Sequence, residues 1–216
     1  MFFDFEELGV KDRYKLITAT VVPRPIALVT TRNENGSINA APFSFFNVFS
    51  EDPPLVVLGL QSKPDLSLKD TTHNIRLTGE FVVNMVDESI AERMVACAAD
   101  FPKTESEIGP AGLSLTPSEH IDVDYISEAP VALECRRVTV LQFAKTRDLA
   151  IGEIVGLHAK EGLIDLETKS INWDNYNPIG RLYANQYIRT HDRFSMSIPS
   201  PEDIISGKFK NFTEEK

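Results

Sequence analysis

The sequence predicts a mostly-β domain whose sheet closes into a barrel, with a few short helices inserted between the strands. Three observations predict it. About six runs rich in β-branched and aliphatic residues recur along the chain, bounded by Gly, Pro, Asn or charged residues. Helical spacing is confined to two or three short stretches. A sheet of that many strands presents hydrogen-bonding edges, and closing it into a barrel removes them. The 216 residues, 42% hydrophobic and 9% aromatic, match one domain, 1–216, with a real core.

The first strand-like run is VVPRPIALVTT at 21–31, and Asn35-Gly36 follows where a hairpin turn belongs, because both residues tolerate positive φ. The return, roughly 37–49, is apolar but interrupted by Asn39, Pro42, Ser44 and Asn47. Proline removes a ladder donor, so part of this return is bulged or loop, leaving polar side chains and backbone groups available. Pro53-Pro54 opens LVVLGL, a buried strand by its continuous apolar run, and FVVNMV at 81–86 reads the same way. Between them Asp70 is a plausible N-cap, Ile75 and Leu77 supply apolar weight and Gly79 suits a left-handed stop, which predicts a helix over 71–78. A second helix is predicted over 88–99, capped by Asp87 or Ser89, with Ile90, Met94, Val95 and Ala98 as its core stripe. VALECRRVTVLQFAK, AIGEIVGLHAK and GLIDL, from 131 onward, are strand-like runs in a meander or Greek key. Residues 101–120, rich in Pro, Gly, Ser and Glu, read as a long loop or lid, and 199–216 as an extended or frayed tail.

Charge narrows the function. Twenty-two Lys and Arg against 32 Asp and Glu give a net charge of −10, which repels phosphate backbones and anionic lipid, so neither nucleic acid nor membrane is an expected partner. No signal-peptide pattern and no run of apolar residues long enough to span a bilayer is seen, and a cytoplasmic location is expected. Cys97 and Cys135 are the only cysteines and His73, His120, His158 and His191 stand singly, so neither a disulfide nor a metal site is expected.

The usual catalytic signatures, GxSxG, HExxH, GxxxxGK[ST] and a GxGxxG after a strand, are missing. What stands out is Ser62 to Asn74, where Ser62, Lys63, Lys69, Thr71, Thr72 and Asn74 crowd a predicted helix start. Unpaired N–H groups, the positive end of the helix dipole and nearby Lys and hydroxyl groups together make a phosphate cradle. The same spacing also fits an ordinary capped surface helix with solvated lysines. Phe43, Phe45, Phe46 and Phe49 alternate, so about half of them should point into the barrel. His158, at a strand end, is either a donor to a substrate oxygen or a satisfied structural histidine. Arg24, fixed between Pro23 and Pro25, is either a reach into a site or interface, or a strand-end surface arginine. Trp173, Tyr176 and Tyr183 are apolar rim or stacking candidates without an assigned role.

RPIALVTT (24–31), GSINAAPFSFFN (36–47), SEDPPLV (50–56) and KDTxxNI (69–75), in this order and spacing, resemble the successive motifs of the flavin reductase-like family, which includes flavoredoxin-type proteins. TGEFVVN (78–84), GEIVGLH (152–158) and RLYANQY (181–187) extend the likeness to about residues 15–190. The resemblance implies an FMN-binding split barrel and a homodimer with non-covalent FMN near the subunit interface. It implies that Ala41, Pro42, Ser44, Phe45, Phe46 and Asn47 lie along the isoalloxazine edge, where backbone N–H groups, Ser44 and Asn47 bond the ring. Ser62, Lys63, Lys69, Thr71 and Asn74 would hold the ribityl phosphate. Arg24 would reach the flavin or the interface, and His158 the nicotinamide side. The implied activity is an NAD(P)H:flavin oxidoreductase, with NADH or NADPH as donor and a monooxygenase, another electron-transfer partner or free flavin as acceptor. Alternatives are an FMN electron-transfer protein fed by a protein donor, and a non-redox binding protein on the same barrel.

Overall fold

The computed structural model describes residues 1–102 and 105–207. Helix α1 (Val10–Thr20) comes first, followed by strands β1 (Ala27–Arg32), β2 (Ile38–Phe43), β3 (Phe46–Glu51) and β4 (Pro54–Gln61). Helix α2 (Asp70–Thr78), β5 (Glu80–Met85) and helix α3 (Ala91–Ala96) continue the chain. After the short pair β6 (Leu115–Thr116) and β7 (Tyr125–Ile126) come the two longest strands, β8 (Val131–Ala144) and β9 (Arg147–Ala159). The small hairpin β10 (Ile179–Arg181) and β11 (Tyr187–Arg189) and helix α4 (Pro201–Ile205) complete the described elements.

Seven strands form one antiparallel sheet in the order β2-β1-β5-β8-β9-β4-β3. Its two outer strands, β2 and β3, are consecutive in the chain and joined only by Ser44 and Phe45. Laid flat, six steps of about 4.8 Å would hold those strands roughly 29 Å apart. A two-residue link spans only about 11 Å from the end of one strand to the start of the next. The sheet must therefore roll until its ends meet, and the mostly-β barrel with short helices is the fold the sequence predicts. Inside it Val29, Phe46, Val56, Leu58, Leu60, Phe81 and Leu133 are buried together, and Ile75 of α2 plugs one end. A second cluster, built on Leu28, Ile90, Met94 and Cys97, packs α3 and the segment around Ile108 against the outer face of β1 and β2.

Local chemistry sets the elements. The β1–β2 hairpin turns at Asn35-Gly36, Gly36 having a φ of 84°, and pairs Ala27 with Phe43. Gly79, at φ 76°, ends α2 in the left-handed conformation. Ser44 and Phe45 break the 37–49 return into two strands, and with the alternation reset at that break half of the Phe side chains reach the core. Phe46 is buried and Phe43 packs on the same core, while Phe45 and Phe49 are exposed.

Several expectations need correcting. Residues 10–20 form a helix that was not anticipated, because its apolar face is left largely exposed and gives no core signal. The first strand starts at Ala27 rather than Val21, since Pro23 and Pro25 cannot donate to a ladder. Lys69, not Asp70, occupies the N-cap of α2. The 88–99 segment is a 3-10 turn at 88–90 followed by α3, and its buried stripe is Ile90, Met94 and Cys97, with Val95 and Ala98 exposed. Asp87 does cap it, accepting from the Ser89 amide at 3.0 Å. GLIDL is no strand: Gly162 turns at φ 75°, Asp165 accepts from the Glu167 and Thr168 amides, and only an isolated bridge joins Ile164 to Ile171. The 101–120 stretch includes β6, with 103–104 outside the described residues, and the 199–216 tail includes α4, with 208–216 outside them. Among the described residues no helix is long and apolar enough to cross a membrane.

Candidate functional site

The corner between β2 and β3 is where the molecule opens. Three cavities meet at Pro42 and Phe43. The first, of about 630 Å³, runs from Ala41 past Lys63, Lys69 and Thr71 to Cys97, Phe101 and Glu107. The second, of about 470 Å³, lies under α1 and is lined by Tyr14, Phe45, Gln61, Lys69, Arg147 and Asp148 among others. The third, of about 190 Å³, holds Arg24, Ser44, Met94 and Arg181.

The first cavity contains the N-terminus of α2. A helix start leaves N–H groups without intrahelical partners, and Ser, Thr, Asp or Asn normally fills that need from the N-cap. Here the N-cap is Lys69 and no side chain caps the helix. A cation at the positive end of a helix dipole is electrostatically unfavourable in isolation. Lys63, Lys69 and Thr71 border the same space, so the arrangement suits an anion and matches the cradle inferred from sequence. Thr71 is buried, its hydroxyl accepting from Asn39 Nδ2 at 3.0 Å and keeping its own proton to donate. Burial first, and the neighbouring Glu107 second, push the Cys97 thiol up to about 12, so this cysteine supplies no thiolate to the cavity. Glu107 itself accepts from the Ala40 amide at 3.1 Å, tying the 105–113 segment to the edge of β2.

The remaining predicted residues divide. Ser44 faces Arg24, whose Nε donates to it at 3.5 Å. Arg24 also donates to the carbonyls of Thr18, Val21 and Leu182 at 2.6, 2.9 and 2.8 Å, joining α1, the β2–β3 corner and the hairpin region. Burial lowers its pKa from the ordinary arginine value, with Tyr14 opposing and Arg181 adding to the shift. Ser62 is buried beside the loop, its amide donating to Thr146 at 3.2 Å. Asn74 spends both amide hydrogens on Thr31 and Asn33, at 3.0 and 2.8 Å, so what remains toward a ligand is an acceptor. Phe46 lies in the barrel core. Asn47 is exposed on β3 and accepts from the Val48 amide at 2.9 Å.

His158 sits elsewhere. Its Nε2 meets Glu134 Oε1 at 2.5 Å and its ring stacks on Tyr125 with centroids 4.3 Å apart. Glu134 is fully buried and also accepts from the amides of Glu119 and His120, both at 2.8 Å. Burial alone would raise this carboxyl, but the two amides and His158 override it and hold its pKa below the ordinary value.

Sequence reasoning missed Arg13, Tyr14 and Ile17 on α1 and Arg147 and Asp148 at the start of β9, all lining the second cavity. Val10, Tyr14 and Ile17 stand at i, i+4 and i+7, a helical spacing that was there to be read. Nothing local announces Arg147 and Asp148, which reach the site through the pairing of Gln61 with Arg147 and Leu60 with Asp148. Among the described residues no group of three or more His, Cys, Asp or Glu could hold a metal ion.

Comparison with known proteins places this architecture. The structure matches 2-nitrobenzoate 2-nitroreductase NbaA of Pseudomonas fluorescens with a TM-score of 0.85 and 45% identity, covering 93% of this chain and 97% of that one. Nitrilotriacetate monooxygenase component B of Bacillus cereus gives a TM-score of 0.85 at 35% identity over 91% of this chain and 98% of its own. Flavoredoxin of Desulfovibrio vulgaris (Miyazaki F), at 17% identity and a TM-score of 0.72 over 91% and 97%, shares the fold, the split barrel. The family model described as the flavin reductase like domain matches residues 19–180, and the chain belongs to that family.

Proposed function

We propose that this chain is a flavoprotein oxidoreductase of the NAD(P)H:flavin type, holding FMN non-covalently in the groove between the α2 N-terminus and the β2–β3 corner. The observation that carries this is the lysine-capped, otherwise uncapped start of α2, with Lys63, Lys69 and Thr71 on one cavity that continues to Ala41 and Pro42. That donor set fits a phosphate monoester, through the helix dipole, two ammonium groups and a hydroxyl. The continuation along Ala41–Phe45 fits a flat ring, since Pro42 and Phe43 give apolar surface and Ser44 a polar edge. FMN, when bound, supplies the hydride and electron chemistry. Lys63, Lys69 and Thr71 anchor the phosphate end, Arg24 fixes Ser44 and the corner, and Asn74 positions α2 by holding Thr31 and Asn33. His158 is assigned to positioning the strap that carries Glu119 and His120, by way of Glu134. No residue in the groove is needed as a dedicated acid or base.

NADH or NADPH is the expected donor, and a monooxygenase component, another electron-transfer partner or free flavin the expected acceptor. The monooxygenase assignment is supported by the likeness to component B. A homodimer in the cytoplasm is the proposed setting. The dimer is supported by Val48, Phe49, Leu141 and Phe143, large apolar side chains left exposed on β3 and β8.

An absorbance titration of the purified protein with FMN, followed by anaerobic NADH or NADPH, tests the reading. Flavin bands that bind and then bleach with a nicotinamide support it. Bands that bind and persist turn it toward a carrier fed by a protein donor, and no uptake of FMN overturns both. Replacing Lys69 and Thr71 together by Ala should weaken FMN binding by about a hundredfold or more, because charge-assisted phosphate bonds are lost. Unchanged affinity removes the cradle.

A further inference from the structure

The second cavity is built differently from the flavin groove beside it. One wall is apolar, made by Tyr14 and Ile17 of α1 and by Phe45 of the corner. The Tyr14 and Phe45 rings meet with centroids 6.4 Å apart, tilted by 50°, and together present an apolar surface against which a flat ring can pack. Tyr14 and Ile17 remain 56% and 41% exposed, so beyond the Phe45 contact much of this helix face is open to the cavity. The other wall is polar and cationic. Arg13 and Arg147 line it, and neither has a carboxylate partner among the described residues, whereas Arg76 is spent on Asp148 at 2.9 Å. Asp148 lines it too: Oδ2 takes that bond, while Oδ1 is buried with no hydrogen-bond partner. A buried acceptor without a donor is costly and asks for one from outside the chain.

Two guanidinium groups without carboxylate partners among the described residues, Arg147 spending only Nη1 on the Thr146 carbonyl and hydroxyl at 2.8 and 3.1 Å, favour an anion there in a chain of net charge −10, and their planar forks match a carboxylate in two-point fashion. The aromatic wall favours a flat ring. The orphaned Asp148 acceptor favours a hydroxyl or amino substituent on that ring. From these we infer that the cavity under α1 is a second ligand site, for a planar aromatic acid carrying a hydrogen-bond donor. The inference rests on the reading above, in that FMN occupies the adjoining groove and this cavity is left for its co-substrate. At about 470 Å³ the cavity admits one substituted benzene ring and is small for a dinucleotide.

The test is equilibrium binding, by calorimetry and by perturbation of the bound-flavin spectrum. Probes are 4-hydroxybenzoate, benzoate and the neutral analogue benzyl alcohol, added to the FMN-loaded protein. The expected order is 4-hydroxybenzoate, benzoate, then benzyl alcohol. Arg147→Ala and Arg13→Ala should each weaken 4-hydroxybenzoate by about tenfold or more, with FMN affinity unchanged. Equal binding of acid and alcohol, or of wild type and both variants, overturns the site. Loss of FMN from Arg147→Ala overturns it as well, since the cavity then belongs to the flavin groove. A wild-type protein that refuses FMN while its calorimetric response to 4-hydroxybenzoate still depends on Arg147 refutes the flavin reading and spares this one. An unfolded Arg147→Ala is bypassed by Arg147→Lys, which keeps the charge but loses the fork, and by titrating salt, which should weaken the acid and leave the alcohol alone.

Discussion

Glu134 and His158 illustrate how one buried charge organises its neighbours. The carboxylate is 0% exposed and holds two amides and an imidazole, so removing it strands three donors at once. Glu134→Ala should cost about 3 kcal/mol in urea unfolding. His158→Ala leaves the carboxylate its two amides and should cost about 1 kcal/mol. The double variant should then cost less than the sum of the two, and strict additivity would mean the pair is not coupled. The pH dependence follows from the direction of the shift. Because the folded-state pKa of Glu134 is depressed, its contribution is complete above the unfolded value of about 4.3 and is lost as pH falls through the folded value. The stability gap between wild type and Glu134→Ala should accordingly close on acidification below about pH 4. A gap that widens in acid contradicts the assignment.

At the scale of elements, the join between barrel and site is the contact of β4 with the β2–β3 corner. Gly59 donates its N–H to the Phe45 carbonyl at 2.7 Å, and a Cβ added at Gly59 would stand 2.9 Å from the Phe45 Cβ. Gly59→Ala must therefore push the corner outward, at a cost of about 1–3 kcal/mol, and FMN affinity should fall with it. A variant that loses stability but binds FMN as before would separate the corner from the flavin groove. The corner itself was legible in sequence, because Pro42 and the polar Ser44 interrupt an otherwise apolar run. So was α2, through Ile75 and the Gly79 stop. Helix α1 left only a spacing, Val10, Tyr14 and Ile17 at i, i+4 and i+7, with little further apolar weight, because these residues face a cavity rather than the core. Lys69 shows a different limit. The family resemblance implies a phosphate-side role for it, whereas its place at the N-cap of α2, with no side chain capping the helix, is visible only in the fold.

For the whole molecule, the open question is what covers the exposed end of β8. Leu141 and Phe143 are 42% and 72% exposed, close along the chain to Arg147, which lines the cavity under α1. Val48 and Phe49, at 63% and 68%, lie on β3, an end strand of the sheet order. Large apolar side chains on a barrel surface favour association, and the proposed occupant is a second copy of the chain, which would cover them without a foreign partner. Charge adds a constraint, since two chains of −10 repel and the contact has to be apolar enough to overcome that repulsion. If the proposed dimer forms through β8, Leu141→Glu with Phe143→Glu should convert it to a monomer in sedimentation experiments while circular dichroism stays unchanged, because neither side chain belongs to the buried core. If the flavin groove is completed by the partner, the monomer should also bind FMN more weakly. A monomer of unchanged FMN affinity would confine the groove to one chain, and a double variant that still sediments as a dimer would move the interface off β8.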